Sequence, residues 1–281
     1  MTIAAEPLAV RRRPLARAFG FVRRHALTAY ALLAFVYLLV PVAVVVAFSF
    51  NSPKGRFNYT WQGFTLNNWI HWDAVPGIRS AIKISLEIAA ISSICATVLG
   101  SLIALALVRY GFRGRGATNF LIFLPMSTPE IVLGASLLTL FLTMNIATGF
   151  LTIVIAHIMF NISYVVVTVK ARLVGFDRHL EEAAMDLGAN GWTTFWRVTL
   201  PLIAPGILAA LLLTFALSVD DFVITNFNAG TTVTFPLFVW GAARAAVFPQ
   251  INVIGTAIFA VAIITMLANI VFQNRRSRRT A

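Results

Sequence analysis

Six long apolar stretches alternate with short polar segments along the chain: residues 27–48, 82–108, 119–142, 150–169, 202–227 and 251–272. About 20 consecutive apolar residues cross the hydrocarbon of a bilayer as a helix. Backbone amides have no partner in lipid other than one another, so each stretch is predicted to be helical. The pattern predicts an all-α integral membrane protein with six transmembrane helices. The third stretch contains LPMSTPE, which places Pro125 and Pro129 inside it. Proline removes a backbone donor, so this span is predicted to break or kink, and it is the one span predicted to do so. Residues 231–248, TTVTFPLFVWGAARAAVF, are apolar but too short and interrupted to cross. A re-entrant or interfacial helix is predicted there.

Composition agrees with a membrane protein. Hydrophobic residues make up 59% of the chain and charged residues 11%, against about a quarter charged in soluble domains. A soluble enzyme of this length is excluded. Lysine and arginine number 22 against 10 acids, a net charge of +12. Nucleic-acid binding is one reading of such a balance, but the placement of the basic residues gives a simpler one. Seventeen fall in the segments before the first span, after the second, after the fourth and after the sixth. The other five are Lys54, Arg56, Arg79, Lys83 and Arg244. By the positive-inside rule both termini are predicted to be cytoplasmic. This gives a basic N-terminal tail over 1–26, a transmembrane domain over 27–273 and a basic C-terminal tail over 274–281. Segments 51–80 and 228–250 then lie outside, and Trp61, Trp69 and Trp72 read as an interfacial belt. The first apolar run is too long for a cleavable signal peptide and precedes no small-residue cleavage site.

Chemistry of its own is not expected. The single cysteine, Cys95, cannot form an internal disulfide, and no Cys or His pair has metal-ligand spacing. No cofactor or metal is predicted. No G-x-x-x-x-G-K-[ST] sequence occurs, so energy from ATP requires another subunit.

A polar stretch, EEAAMDLGANGWTTFWRVTLPLIAP, separates the fourth and fifth spans at 181–205. Acids favour a helix start at Glu181. Gly188 favours a sharp turn. A short helix over 192–198 is predicted to place Trp192, Phe195 and Trp196 on one side. Pro201 is predicted to start the next span. Small residues and aromatics on the cytoplasmic side suit docking to a partner; a loop with tryptophans anchored at the headgroups is the plainer reading.

The spacing Glu182-Ala183-Ala184, three residues, Gly188, nine residues, Val198, one residue, Leu200-Pro201 resembles the EAA loop of ABC importer permeases, which usually has isoleucine at the Val198 position. TPEIV (128–132), VVVTVKARLVGFD (165–177) and SVDDFVI (218–224) are similar to the spermidine/putrescine permeases, over nearly all six spans. The resemblance implies a MetI-like permease fold in the bacterial cytoplasmic membrane. It implies a second homologous permease, an ABC ATPase dimer and an external substrate-binding protein as partners. It also implies that the loop at about 177–201 couples to the ATPase through Glu182, Ala183, Ala184, Gly188, Trp192, Leu200 and Pro201. The same machinery for ferric iron, an opine or another organic cation is the alternative. An ion-coupled transporter is a further rival, and would show an inverted repeat with two matching broken helices.

Acids inside a membrane are costly and mark candidate functional sites. Glu87 follows Lys83 by four residues and reads as an ion pair near the outer end, with a substrate role as the alternative. Glu130 follows Pro129; stabilising the restarted helix and facing a pathway are both open. On a continuous helix, Thr214, Ser218, Asp221 and Thr225 share one polar face. Asp221 is therefore expected to line a translocation path and Asp220 to pack against a neighbour, although the stripe could instead bond another helix. His157, Asn161 and Tyr164 form a similar stripe with Thr168, either structural or path-lining. A polyamine would need spaced carboxylates and aromatic faces, for which Phe222, Phe227 and Trp240 are near in sequence.

Overall fold

The computed structural model describes residues 14–175, 177 and 179–277. The expected tails fall partly outside this range: Arg11, Arg12, Arg13, Arg278 and Arg279 lie outside the described residues, as does Arg178 of the loop. The chain divides into two compact units, residues 73–246 and residues 1–72 with 247–281.

The smaller unit pairs α1 (Pro14–Ser49) with α12 (Pro249–Ser277). Before Ser49 the apolar part of α1 has no fully buried residue, as expected of a lipid-facing helix. The helix begins at Pro14, so the boundary expected at 26 is not a break in the backbone. The segment after α1 is held by asparagines. Asn51 is fully buried; its amide donates to Asn58 and to the Thr60 carbonyl, and its oxygen accepts from the Gln62 amide. Asn68 donates to the carbonyls of Ser49 and Asn51. Trp69 stacks on Phe50 and donates to the Ser49 hydroxyl.

The larger unit is built on three long helices, α3 (Ile78–Arg109), α6 (Phe150–Val174) and α9 (Leu200–Asp220), each packed on the other two. Hydrocarbon offers no hydrophobic drive between helices, so close backbone approach matters more than side-chain bulk. The buried face of α3 accordingly carries Ala89, Ser92, Ser93, Ala96, Gly100 and Ala104.

The third span breaks as predicted. α4 (Arg115–Ser127) and α5 (Glu130–Thr143) meet at Thr128-Pro129, with a bend of 108° between them. The fifth span was expected to run unbroken and does not. It leaves the helix at Asp221, with φ −63° and ψ 120°, and resumes as α10 (Val223–Asn228). The unit therefore holds two interrupted spans rather than one, and their distal halves pack together: a Cβ on Gly134 of α5 would sit 2.8 Å from the Phe227 ring. Pro201 falls in the first turn of α9, as predicted. Helical backbone runs from Gly191 to Asp220 through a widened turn at Phe195–Thr199, where Leu200 bonds back to Phe195. The wider turn accommodates the donor that proline lacks. Residues 235–245 form α11 (Phe235–Ala245), which has no fully buried residue.

Among the described residues, four helices are long and apolar enough to cross a bilayer, five if α4 and α5 count as one bent span. The apolar part of α12, Pro249–Thr265, is shorter.

The close approach of α3 and α6 is testable. A Cβ on Gly100 would lie 2.6 Å from the Val165 Cβ and 3.2 Å from the Ile162 carbonyl oxygen. Gly100→Ala is expected to cost about 1–3 kcal/mol in thermal unfolding in detergent, as overpacked cores do. Gly116→Ala, with no atom within 4 Å, is expected to leave stability unchanged.

Candidate functional site

The polar residues of the fifth span gather around one histidine. His157 lies on α6 and is 3% exposed. Its Nδ1 is 2.6 Å from the Ser218 hydroxyl of α9. Its Nε2 is 3.2 Å from Asp221 Oδ2 and 3.0 Å from Thr225 Oγ1. Ser218 reaches on to Ser92 of α3, 3.0 Å away. A ring with its proton on Nε2 satisfies the set: it donates to the carboxylate side and accepts from Ser218, while Ser92 donates to Ser218. One side chain thus joins α3, α6, α9 and α10.

Asp221 does a second task there. Its Oδ2 accepts from the Thr225 amide at 2.7 Å and from the Thr225 hydroxyl at 2.7 Å. The carboxylate caps the first turn of α10, where backbone N–H groups have no helical partner. The far end of α10 is fixed as well. The Asn228 carbonyl accepts from the Thr152 hydroxyl and the Gly149 amide, and the Asn228 amide donates to the Ile224 carbonyl.

These placements differ from the helical stripe. Thr214 and Ser218 on α9 and Thr225 on α10 are buried, but Asp221 sits on extended backbone between the helices. Its side chain is 9% exposed, while Asp220 is exposed. That is the reverse of the burial expected for the pair, because the helix ends between them and turns the second carboxylate inward. The alternative in which the stripe bonds another helix matches the contacts. Asn161 is buried and donates to the Thr214 carbonyl at 3.4 Å, while its own oxygen has no partner among the described residues. Tyr164 is half-buried against Phe160, with ring centroids 5.0 Å apart. Glu130 is exposed on the first turn of α5. Lys83 and Glu87 form an exposed pair at 3.7 Å, the structural reading of that spacing. Phe222 lies against Trp240 of α11 at 5.2 Å, and the Arg244 guanidinium lies 4.8 Å from the Trp240 ring centroid.

The polar loop forms a second cluster. α7 (His179–Asp186) ends in a turn in which the amides of Gly188 and Ala189 bond to the carbonyls of Met185 and Ala184. This closing pattern needs a left-handed residue, and Gly188 has φ +88°. Nothing lies within 4 Å of a Cβ at Gly188, so its requirement is conformational rather than steric. Asn190 caps α8 (Gly191–Thr194) by accepting from the Thr193 amide. Glu182, Ala183, Gly188, Trp192 and Pro201 are exposed, and Ala184 and Leu200 are half-buried. Met185, Leu187, Trp192 and Trp196 present exposed apolar side chains around the turn, and Leu187 is 91% exposed.

The two neighbouring glutamates part ways. Glu182 is exposed and pairs with His179. Glu181 is buried, receives both guanidinium nitrogens of Arg109, and accepts from the Thr199 hydroxyl. Residue type does not separate Glu181 from Glu182, and Arg109 is 72 residues away. The one available signal was helical phase: Glu181 falls on the inner side of α7.

Comparison with known proteins follows the same lines. Residues 96–274 match the family model described as binding-protein-dependent transport system inner membrane component. The spermidine/putrescine transport system permease protein PotC of Escherichia coli strain K12 is 37% identical over 236 residues, 84% of this chain and 89% of that protein. The putrescine transport system permease protein PotI of the same strain is 39% identical over 246 residues, 84% of this chain and 87% of that one. Among solved structures, a bacterial ABC transporter involved in import of the acidic polysaccharide alginate shares the fold, with a TM-score of 0.64, 17% identity and coverage of 94% of this chain and 99% of its own. With the family match spanning most of its length, and two permeases aligned over 84% of it, the chain belongs to the binding-protein-dependent transport system inner membrane components.

Proposed function

We propose that this non-catalytic membrane component forms half of the translocation path of a polyamine importer. The observation that carries the reading is the likeness to two polyamine permeases across 84% of the chain. The chemistry at the helix break supports it. Polyamines are flexible chains of ammonium groups, which carboxylates and aromatic faces attract. Asp220 offers an exposed carboxylate at the break, two residues before Phe222, which packs on Trp240, and the Trp240 ring already carries a cation in Arg244. Asp221, His157, Ser218, Thr214, Thr225 and Asn161 form the wall behind it and fix its position. Glu130 and Tyr164 extend the same path. A second homologous permease supplies the other half, and an external binding protein delivers the substrate.

In this reading the loop at 177–201 meets an ABC ATPase dimer on the cytoplasmic side. Glu182, Ala183, Ala184, Gly188 and Trp192 supply the contact, and Leu200 and Pro201 carry it into α9. The exposed apolar set at Met185, Leu187, Trp192 and Trp196 is what such docking requires. Both termini lie in the cytoplasm, as the basic residues require.

Uptake of labelled spermidine and putrescine by the importer in proteoliposomes tests the substrate. ATP-dependent accumulation is expected, and Asp220→Asn is expected to lower it about tenfold, the effect of one lost charge-assisted contact. Asp221→Asn is expected to lower the thermal stability of the subunit instead. Uptake of neither polyamine by the wild-type importer contradicts the substrate reading.

Orientation is checked by thiol labelling in a Cys95→Ser background. Gly116→Cys is expected to react with an impermeant reagent from the cytoplasmic side alone, and Gly55→Cys from the outer side alone. Both sites are open, with nothing within 4 Å of the added Cβ. Labelling from the opposite side at either position contradicts the topology.

A further inference from the structure

We infer that Arg109, Glu181 and Thr199 form a latch through which movement of the coupling loop reaches the helix bundle. The inference rests on the proposed docking of that loop to an ATPase and assigns its inner attachment. Arg109 is the last residue of α3, the helix that packs on both α6 and α9. Its guanidinium grips both oxygens of Glu181 on α7, and Thr199, at the entry to α9, donates to the same carboxylate. One buried carboxylate therefore ties α7 to the ends of two bundle helices. Beyond it, α7 packs on α8 and the widened turn, its neighbours in sequence. A cavity of about 520 Å³ lies beside the pair, lined by Leu102, Ala106, Met185 and Phe195 together with the latch residues. Across this open space the charged group supplies the described hydrogen bonds between α7 and α3. The fork of Arg109 fixes direction as well as distance, which a single lysine contact would not. Moving the loop away from α3 would break both guanidinium contacts and the Thr199 bond at once. The loop and the end of α3 consequently move together. Glu181 and Arg109 are positioning residues, and the docking surface itself is made by their exposed neighbours.

Two measurements test the latch. In the subunit alone, reconstituted in nanodiscs, hydrogen exchange of the amides at 181–189 is expected to accelerate in Glu181→Gln and to stay unchanged in Glu182→Gln. Equal exchange in the two variants overturns the latch. In the assembled importer, the wild-type loop with Leu187→Cys in a Cys95→Ser background is expected to cross-link to the ATPase. Absence of that cross-link overturns the docking reading, and the inference with it. With the cross-link retained, Glu181→Gln is expected to lower substrate transported per ATP hydrolysed by about fivefold or more. The exchanged pair Arg109→Glu with Glu181→Arg is expected to recover most of that loss, which repair of folding alone would not predict for the transport-to-hydrolysis ratio. An unchanged ratio in Glu181→Gln with the cross-link intact overturns the latch and leaves the docking reading standing.

Discussion

A chain in hydrocarbon can leave its helix only where other atoms take over the hydrogen bonds that the helix gives up. The break after Asp220 depends on this constraint. Asp221 supplies an acceptor for the exposed amide of Thr225, and His157 holds the carboxylate from the neighbouring helix. Ser218 and Ser92 extend the chain of bonds to α3. Without these contacts the extended residue at 221 would leave unpaired amides and a lone charge within the bundle. With them, the break becomes a rigid feature, and it turns one carboxylate inward while leaving the other exposed.

The same economy recurs at the loop. A permease without a nucleotide site of its own has to receive movement from outside, and a loop attached by apolar packing alone could slide. Glu181 and Arg109 give the attachment direction, and the left-handed turn at Gly188 sets where the exposed residues around it point. The rigid turn, the continuous helix from Gly191 to Asp220 and the break at Asp221 lie in series. They form one route from the docking surface to the proposed path.

Much of the fold was legible in the sequence because lipid makes helix length and apolarity coincide. The spans at 82–108 and 150–169 correspond to α3 and α6, and the two prolines of LPMSTPE marked the break between α4 and α5. The break at Asp221 was not legible. No proline or glycine marks it, and the apolar pattern continues across it to Phe227. It exists because His157, 64 residues earlier, is placed to receive the carboxylate. Pro201 did mark the first turn of α9, but the widened turn that joins α9 to α8 was not legible. The loop motif located the exposed turn by its spacing, yet it pointed to Glu182 and passed over Glu181. Burial distinguishes those two residues, and burial comes from α3.

The central claim is that the helix break holds Asp221 inside the bundle and presents Asp220 to the substrate path. Thiol accessibility in the assembled importer tests it most directly, with Asp220→Cys and Asp221→Cys each in a Cys95→Ser background. The account predicts that a small cationic thiol reagent modifies position 220, that polyamine slows this modification, and that position 221 stays unreactive. Rapid, polyamine-protected modification at 221 with an unreactive 220 would contradict it.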